Sequence, residues 1–288
     1  MKKANTLLLL GALAGAGGAV LLAKRQNEHI VTTTYRLENA SITKPVKIVQ
    51  LSDLHSAILP TLEEKTRALS PDLIAVTGDY INDRGKNKTN MLQFARTLCS
   101  IAPVAYIPGN HERRLPYFEA LMQQLEAAGF HVLVNREERF QLGGNTISVL
   151  GLSEKQADKK DYVKRAMGNF QYDDLTPLLK DFETREGFKL VLCHFPENFE
   201  KIEALRYSRF NFDLMLSGHA HGGQFDLPGI GPCFSPGQGL FPKYAKGIFG
   251  THPQMIVSRG LGNSEFPLRL FNYPEIVNIE IQPKQQRK

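Results

Sequence analysis

Cysteine is scarce in this sequence, with three residues in 288, and no two of them form a CxxC pair. The spacing of Cys99, Cys193 and Cys233 therefore predicts neither a disulfide framework nor a zinc finger. Basic residues form no dense block either, although 35 Lys and Arg outnumber 29 Asp and Glu. The formal charge of +6 favours anionic partners such as phosphates, but this spread gives no reason to expect a nucleic-acid partner.

One long hydrophobic run is present, at residues 7–23, between Lys2–Lys3 and Lys24–Arg25. Its seventeen uncharged residues are close to the minimum for a helix that spans a bilayer. We therefore predict an uncleaved single-pass anchor that holds the protein at the cell membrane. A cleaved signal peptide is the alternative, because the run contains small-residue cleavage sites. Basic residues flank both ends, so the positive-inside rule does not decide the orientation, and we favour the exported side.

Beyond this segment, short apolar runs alternate with helix-like segments. Residues 46–51, 72–77 and 104–107 are apolar runs that are each followed by a loop and a helix-like segment. This alternation predicts an α/β domain, and the closer spacing of the later runs favours a mixed sheet or a sandwich of two sheets. The chain is divided into an N-terminal hydrophobic anchor or signal segment at 1–25, a juxtamembrane segment and domain entry at 26–45, one globular domain at 46–283 and a polar tail at 284–288.

Polar side chains with metal-binding chemistry follow the predicted strands, at the points where those strands end. They are Asp53, His55, Asp79, Asn110, His111, His194, His219 and His221. In open α/β sheets the carboxyl ends of the strands form the crevice in which ligands bind. Each motif alone is also typical of an ordinary turn or helix cap. Their ordered occurrence, which includes five of the eight histidines in the chain, predicts one shared site.

The donor types in this set indicate which metals the site would hold. Carboxylates, an amide oxygen and imidazoles suit Mn, Fe or Zn better than metals that prefer thiolates. Four histidines, two aspartates and one asparagine are too many ligands for one tetrahedral zinc, but enough for two metals if one aspartate bridges them. Two metals can clamp the attacking and leaving oxygens of a phosphoryl transfer. We expect the glycines beside His219 and His221 to permit tight turns and to leave room for a phosphate.

The ordered motifs DLH, GD, GNHE, H and GHAH resemble those of the calcineurin-like metallophosphoesterase family, from about residue 46 onward. The longer GHAHGGQ and SRGLGNSEFPLRLFNYPE segments, with the hydrophobic N-terminus, are similar to its bacterial membrane-associated YkuE/YaeI-like branch. The resemblance implies a four-layer α/β/β/α sandwich of two mixed β-sheets flanked by helices. It also implies hydrolysis of phosphodiester or phosphomonoester bonds by in-line attack of a metal-bridging hydroxide.

The same resemblance implies a role for each site residue. Two divalent metal ions are expected, with Mn favoured and Fe or Zn as alternatives. Their implied ligands are Asp53, His55 and His221 for the first metal, Asp79 for both, and Asn110, His194 and His219 for the second. His111 is implied to donate to a phosphate oxygen and to protonate the leaving oxygen. Arg113, Arg114 and Arg269 are candidate contacts to the anionic phosphoester substrate, although Arg113 and Arg114 also fit a solvated loop.

Two other functions remain open from the sequence. A membrane-surface pyrophosphatase acting on a nucleotide-sugar-lipid, such as UDP-diacylglucosamine, fits an anchored enzyme, and a hydrophobic groove beside the metal site would favour it. A shallow polar cleft would instead favour phosphodiesters. A non-catalytic metal-binding scaffold is the third candidate, but such a protein is expected to have lost ligands or His111. The oligomeric state is not predicted.

Overall fold

The computed structural model describes residues 18, 23, 25–85, 87–155, 158, 160–263 and 266–284. Within this part of the chain, the strands form two six-stranded sheets and two short hairpins. In chain order the strands are β1 (Val31–Asn39), β2 (Val46–Leu51), β3 (Leu73–Thr77), β4 (Val104–Ile107), β5 (His131–Val132), β6 (Arg136–Leu142), β7 (Asn145–Leu152), β8 (Phe188–Cys193), β9 (Leu214–Ser217), β10 (Asp226–Leu227), β11 (Gly231–Pro232), β12 (Phe234–Ser235), β13 (Gly239–Leu240), β14 (Gly247–Phe249), β15 (Gln254–Val257) and β16 (Glu275–Pro283).

Helices of the described residues are mostly short and connect strands of the first sheet or cover the second. The α-helices are α1 (Leu62–Ala68), α2 (Lys88–Cys99), α3 (Asn110–Arg113), α4 (Phe118–Ala127), α5 (Asp161–Ala166) and α6 (Thr176–Phe182). Residues 25–28 are also helical. Short 3-10 helices lie at Pro196–Asn198, Tyr207–Arg209 and His221–Gly223.

The first sheet has the strand order β1-β16-β2-β3-β4-β5. Strands β2 to β5 run parallel, whereas β16 is antiparallel to β2 and parallel to β1. All residues of β3 and β4 are buried, and their sequences are continuous apolar runs. Such runs are typical of parallel strands that are covered on both faces.

The second sheet has the order β14-β15-β9-β8-β7-β6. Strands β15, β9, β8 and β7 are parallel, and β14 and β6 pair antiparallel at the two edges. All residues of β8 and β9 are buried. In each sheet the carboxyl ends of the parallel strands therefore lie at the same edge. The loops that carry the site residues follow the strands at that edge.

Three hydrophobic cores separate four layers of secondary structure. One core packs α1, α2 and α4 against the first sheet, as with Leu98 and Val76. A second core lies between the two sheets and joins residues such as Ile48 and Leu190. The third packs α6 onto the outer face of the second sheet, as with Phe182. This arrangement confirms the predicted four-layer sandwich of two mixed sheets flanked by helices.

The N-terminal part of the chain contains a strand that was not expected there. Strand β1 lies inside residues 26–45, which were predicted only as a domain entry, and it pairs with β16 along its whole length. Its side chains alternate between partly buried and exposed, without an apolar run. Of the predicted tail at 284–288, only Lys284 is among the described residues.

The predicted membrane anchor requires a correction. Among the described residues, no helix is both long enough and apolar enough to cross a membrane. Of the run at 7–23, only Gly18 and Ala23 belong to the described part of the chain. On this finding the prediction of a single-pass anchor at the cell membrane is wrong.

Candidate metal centre

The metal centre lies where strands of both sheets end. Asp53 and His55 follow β2, Asp79 follows β3, and Asn110 follows β4. From the second sheet, His194 follows β8, and His219 and His221 follow β9 in the same way. The structure thus brings the seven predicted metal-ligating side chains to one place, and every one of them is buried.

Backbone strain is concentrated in this centre. The residues Asp53, His55, Asp79, His219 and His221 have φ values of 53°, 49°, 52°, 66° and 48°. Positive φ is uncommon for residues with a side chain, and such strained conformations cluster at functional sites. The turns that follow the strands therefore aim these side chains inward at a cost in conformational energy.

A first group of potential metal donors consists of Asp53, His55, Asp79 and His221, whose ligand atoms lie within 4.8 Å of one another. The Nε2 atoms of His55 and His221 are 3.0 Å apart. His221 Nε2 is 3.5 Å from Asp53 Oδ1, and His55 Nε2 is 3.6 Å from Asp79 Oδ2. Imidazole nitrogens and carboxylate oxygens thus converge on one point.

A second group shares Asp79 with the first and adds His194 and His219, again with ligand atoms within 4.8 Å. His194 Nε2 lies 3.4 Å from Asp79 Oδ2 and 3.1 Å from Asn110 Oδ1. His219 Nε2 is buried and has no hydrogen-bond partner among the described residues. Since Asp79 belongs to both groups, the two sets of donors are contiguous.

The protonation states of four of these side chains suit metal binding directly. Burial lowers the pKa of His55, His219 and His221 well below the usual value, so their imidazoles are neutral. Burial alone would raise the pKa of Asp79, but the neighbouring histidines, His194 foremost, hold it well below the usual range. Burial alone would lower the pKa of His194, but Asp79 raises it to about 9, so His194 must release a proton when it binds a cation. Neutral imidazoles and ionised carboxylates are the forms that coordinate metals. The donor set therefore fits two divalent cations.

One hydrogen-bonded carboxylate supports the bridge between the two groups. Glu112 accepts hydrogen bonds from the backbone N–H groups of Asp79, Gly109 and Ile81, at 3.0, 2.9 and 2.8 Å. Burial and the Asp79 carboxylate raise the pKa of Glu112 to about 7. Sequence analysis gave this residue no role, although it is the last letter of the GNHE motif.

The glycines around the two histidines of GHAH permit a tight turn, as expected, but the room expected for a phosphate is occupied by protein atoms. A Cβ at Gly218 would collide with Ser52 and Asp53, and one at Gly222 would collide with Asn272. These glycines allow close packing of protein atoms on the metal donors, so the space they leave is filled by the protein itself. Gly222 also has a φ of 62°, which its turn requires.

His111 lies beside the donors and faces Asp83, a residue that sequence analysis missed. His111 Nε2 is 3.9 Å from Asp79 Oδ2, and its Nδ1 is 3.6 Å from Asp83 Oδ1. The backbone N–H of Asp83 also points to His111 Nδ1, at 3.4 Å. Asp83 lies six residues beyond β3, and nothing in the spacing distinguished it from an ordinary loop acid.

The three predicted substrate-binding arginines occupy different surroundings. Arg114 borders the cavity above the donors, and its Nη2 is 3.2 Å from Asp83 Oδ2. Arg113 donates to Ser153 Oγ at 2.9 Å, and its guanidinium lies over the Phe118 ring. The binding of substrate by either residue stays a prediction.

Arg269 is fully buried behind His221. Its Nη2 lies 3.2 Å from His221 Nδ1 and donates to the Gly262 carbonyl at 2.5 Å. Its Nη1 donates to the Arg259 carbonyl at 2.6 Å. These contacts orient the His221 imidazole. The binding of substrate by Arg269 stays a prediction.

A cavity of about 420 Å³ opens over the metal donors. Its lining combines residues of the metal centre with polar and apolar side chains from several loops. The lining residues are Asp79, Asn110, His111, Arg114, Tyr162, His219, His221, Gln224, Phe234, Pro236 and Phe266. This volume is within the range of small-molecule sites, and a substrate entering it would meet both metal groups.

Comparison with known proteins gives the family. The calcineurin-like phosphoesterase family matches residues 46–223. The metallophosphoesterase YkuE of Bacillus subtilis (strain 168) is 32% identical over 287 residues, which cover 93% of each chain. The phosphodiesterase YaeI of Escherichia coli (strain K12) is 27% identical over 248 residues, which cover 82% of each chain. The chain therefore belongs to the calcineurin-like phosphoesterases, as its motifs predicted, and is a metal-dependent phosphoester hydrolase.

Proposed function

We propose that this protein hydrolyses phosphodiester bonds with the help of two divalent cations, Mn²⁺ foremost and Fe or Zn as alternatives. The observation that carries the proposal is the pair of buried donor groups that share Asp79. Paired cations of this kind are typical of enzymes that stabilise both the attacking and the leaving oxygen of a phosphoryl transfer. The name of the relative YaeI, a phosphodiesterase, supports a diester substrate over a monoester.

The assignment of ligands is part of the proposal. Asp53, His55 and His221 would hold one cation, and Asn110, His194 and His219 would hold the other, while Asp79 would contribute to both. The Asn110 side chain joins the second group because its Oδ1 lies 3.1 Å from His194 Nε2. Bound cations supply Lewis acidity, which lowers the pKa of water and stabilises negative charge on phosphate oxygens.

His111 is the proposed proton donor to the leaving oxygen. Its imidazole borders the cavity beside both donor groups, and Asp83 lies behind its Nδ1 at 3.6 Å. A carboxylate in this place orients the ring, so that Nε2 faces the cavity and the substrate. Arg114 is held by the same Asp83 and adds positive charge at the border of the cavity.

The other candidate functions have less support. The membrane-surface pyrophosphatase loses the support of the predicted anchor, which is wrong, and keeps only that of the apolar side chains in the cavity beside the donors. A scaffold without catalysis would not need every donor of both groups, nor a histidine and an aspartate paired beside them. We therefore retain phosphodiester hydrolysis as the function that the site supports.

The experiment measures metal content and bis-p-nitrophenyl phosphate hydrolysis on the same preparations of the full chain. The protein is stripped of metal and reloaded separately with Mn, Fe, Zn or Mg. About two metals per chain with restored hydrolysis is the expected result. A folded protein that binds no metal, or that binds two and cleaves no phosphodiester, would contradict the proposal.

A matched pair of variants tests the roles. His111→Ala should keep both metals and lose about a hundredfold or more in kcat, as is usual for a general acid. Exposed Asp174, whose carboxylate caps Thr176 on α6 at 3.0 Å, provides Asp174→Asn as a control that should change neither quantity. Loss of metal from His111→Ala would show that its assigned role is wrong.

A further inference from the structure

The cavity over the metal donors has a wall of aromatic side chains. Tyr162, Phe234 and Phe266 line it, together with Pro236, and are 40%, 40% and 49% exposed. Single exposed apolar residues are ordinary on protein surfaces. Several that share one concave site with polar groups indicate ligand binding, because apolar walls supply affinity and polar groups fix orientation.

Contacts elsewhere hold this aromatic wall in place. Phe266 packs edge-on against Phe225, with ring centroids 5.2 Å apart, and its carbonyl accepts from Gln224 Nε2. Tyr162 lies on α5, and that helix also carries Arg165, whose buried guanidinium donates to Glu197 Oε1 at 2.9 Å. Both aromatic rings are therefore carried by segments that are tied to the protein core beside the metal donors.

The apolar surface continues out of the cavity along a hairpin. Phe234 of β12 is paired with Leu240 of β13, so the two side chains lie on the same face as neighbours. Leu240 is 73% exposed, and the adjacent Phe241 is also largely exposed. A chain leaving the cavity beside Phe234 would pass over Leu240, whereas a compact ring would not reach it.

The lining of the cavity combines charged groups with apolar ones. Arg114 and the metal donors supply charge, whereas Tyr162, Phe234, Pro236 and Phe266 are uncharged. A phosphate is attracted to the charged groups, and an apolar substituent packs against the aromatic ones. The volume of about 420 Å³ leaves room for both parts of one molecule.

We propose that the substrate is an amphiphilic phosphodiester, with one substituent an aliphatic chain that lies against Tyr162, Phe234 and Phe266 and leaves the cavity over Leu240. The inference rests on the proposed hydrolase function for its reaction. In that reaction one water adds to phosphorus as a new P–O bond forms, the P–O bond to one substituent breaks, and a proton passes to the departing alcohol oxygen.

The test measures binding separately from catalysis. Monoalkyl phosphates from ethyl to octyl, below their micelle-forming concentrations, are titrated calorimetrically into the Mn-loaded full chain. We expect Kd to fall by about two- to fourfold for each added methylene, as each leaves water. The heat-capacity change of binding should also become more negative with chain length. A Kd that does not depend on chain length would overturn the inference.

Variants of the wall decide whether this dependence comes from the proposed surface. Phe234→Ser and Leu240→Ser should flatten the dependence on chain length, and Phe234→Leu should largely restore it. Leu240 is so exposed that its replacement leaves the fold intact, which a thermal melt would verify. Ile248→Ser, at a residue 40% exposed on β14 and outside the cavity lining, is the control and should retain the full dependence. An unchanged dependence in both Phe234→Ser and Leu240→Ser would also overturn the inference.

The outcome for this inference can be distinguished from that for the proposed function. Hydrolysis of bis-p-nitrophenyl phosphate with no effect of chain length on binding would leave a phosphodiesterase without the aliphatic site. Binding that strengthens with chain length, without hydrolysis of any phosphodiester, would keep the aliphatic site and overturn the hydrolase. Failure of both measurements would overturn both.

Discussion

Two buried polar clusters lie close together in this protein, and they are balanced differently. Arg165 is fully enclosed, with Nη1 2.6 Å from Glu154 Oε2, Nε 2.9 Å from Glu197 Oε1 and Nη2 2.9 Å from Asn198 Oδ1. Burial alone would lower the pKa of Arg165, but the two glutamates raise it above the usual value. The guanidinium, which lies 3.9 Å from the Phe195 ring centroid, thus finds its countercharges within the protein.

The metal centre has the opposite balance, an excess of acceptors. His55 and His221 place two Nε2 atoms 3.0 Å apart although their low pKa values leave both rings neutral. His55 Nδ1 and His219 Nε2 are buried without hydrogen-bond partners among the described residues. A binding centre thus differs from a structural cluster: in the cluster the cation is paired with carboxylates of the protein, and in the binding centre the donors are directed at a cation from outside it.

The largest effect is expected from the residue that both donor groups share. Asp79→Asn should lower hydrolysis of bis-p-nitrophenyl phosphate by at least about a thousandfold, as is common when one member of a catalytic unit is lost. Metal content should fall from both positions, because Asp79 belongs to both groups. Metal analysis and kinetics on one preparation check this, with a far-UV circular dichroism spectrum to establish folding. Full metal content with normal turnover would exclude the shared role.

Removing the cation of the Arg165 cluster should instead lower the free energy of unfolding. Arg165→Met leaves two buried glutamates without their countercharge, which typically costs about 3–5 kcal/mol in the free energy of unfolding. Arg185 provides the matched control, since its pairs with Glu137 and Asp181 are partly exposed, and Arg185→Met should cost about 1 kcal/mol or less. Denaturant titrations of both variants measure the difference. Equal losses would mean that the Arg165 cluster is no more than a surface ion pair.

The contact between Arg269 and His221 places a buried cation against a metal donor. Arg269→Gln should weaken metal binding by about 10- to 100-fold, which is the usual effect of losing a partner of a ligating histidine. Arg269→Lys should recover part of the loss, since the ammonium can still donate to the Arg259 or Gly262 carbonyl that Arg269 holds beside His221. Competition with a metal chelator measures the affinity. An unaltered affinity in Arg269→Gln would show that His221 needs no such support.

The smallest effect is expected from the contact between the N-terminal segment and the loop that carries Arg269. Asn27 accepts from the Arg269 backbone N–H at 3.2 Å and donates to the Pro267 carbonyl at 3.0 Å. Asn27→Ala should lower kcat/KM by about fivefold, which corresponds to roughly 1 kcal/mol for exposed hydrogen bonds. Asn87→Ala, which removes a hydrogen bond to Ser56 in a different loop, is the comparison variant. A loss of kcat/KM in Asn87→Ala, with none in Asn27→Ala, would contradict this expectation.

Much of the architecture was predictable because it is encoded locally. Strands such as β3 and β4 are apolar runs, and the donor residues follow them within a few positions. Once parallel strands are assigned, their ends must lie together, so the approximate site follows from the sequence. Strand β1 was missed because its sequence has no apolar run; it is defined by pairing with β16, more than two hundred residues later.

The remaining features depend on contacts between distant residues. Arg269 and His221 are 48 positions apart, and Arg165 and Glu197 are 32 apart. No periodicity connects such pairs, so the roles of these arginines could not be inferred from spacing. The aromatic wall has the same origin, since Tyr162, Phe234 and Phe266 come from three separate segments.

The position of β16 has a consequence for the order in which the protein is made. Among the described strands, β16 comes last in the chain and lies between β1 and β2, which come first. Its Glu275 carboxylate also accepts from the Arg259 backbone N–H at 3.0 Å, in the loop that leads to Arg269. On the ribosome, the first sheet therefore stays open between β1 and β2 until β16 emerges, and a nascent chain that stops before residue 275 lacks the strand that joins them.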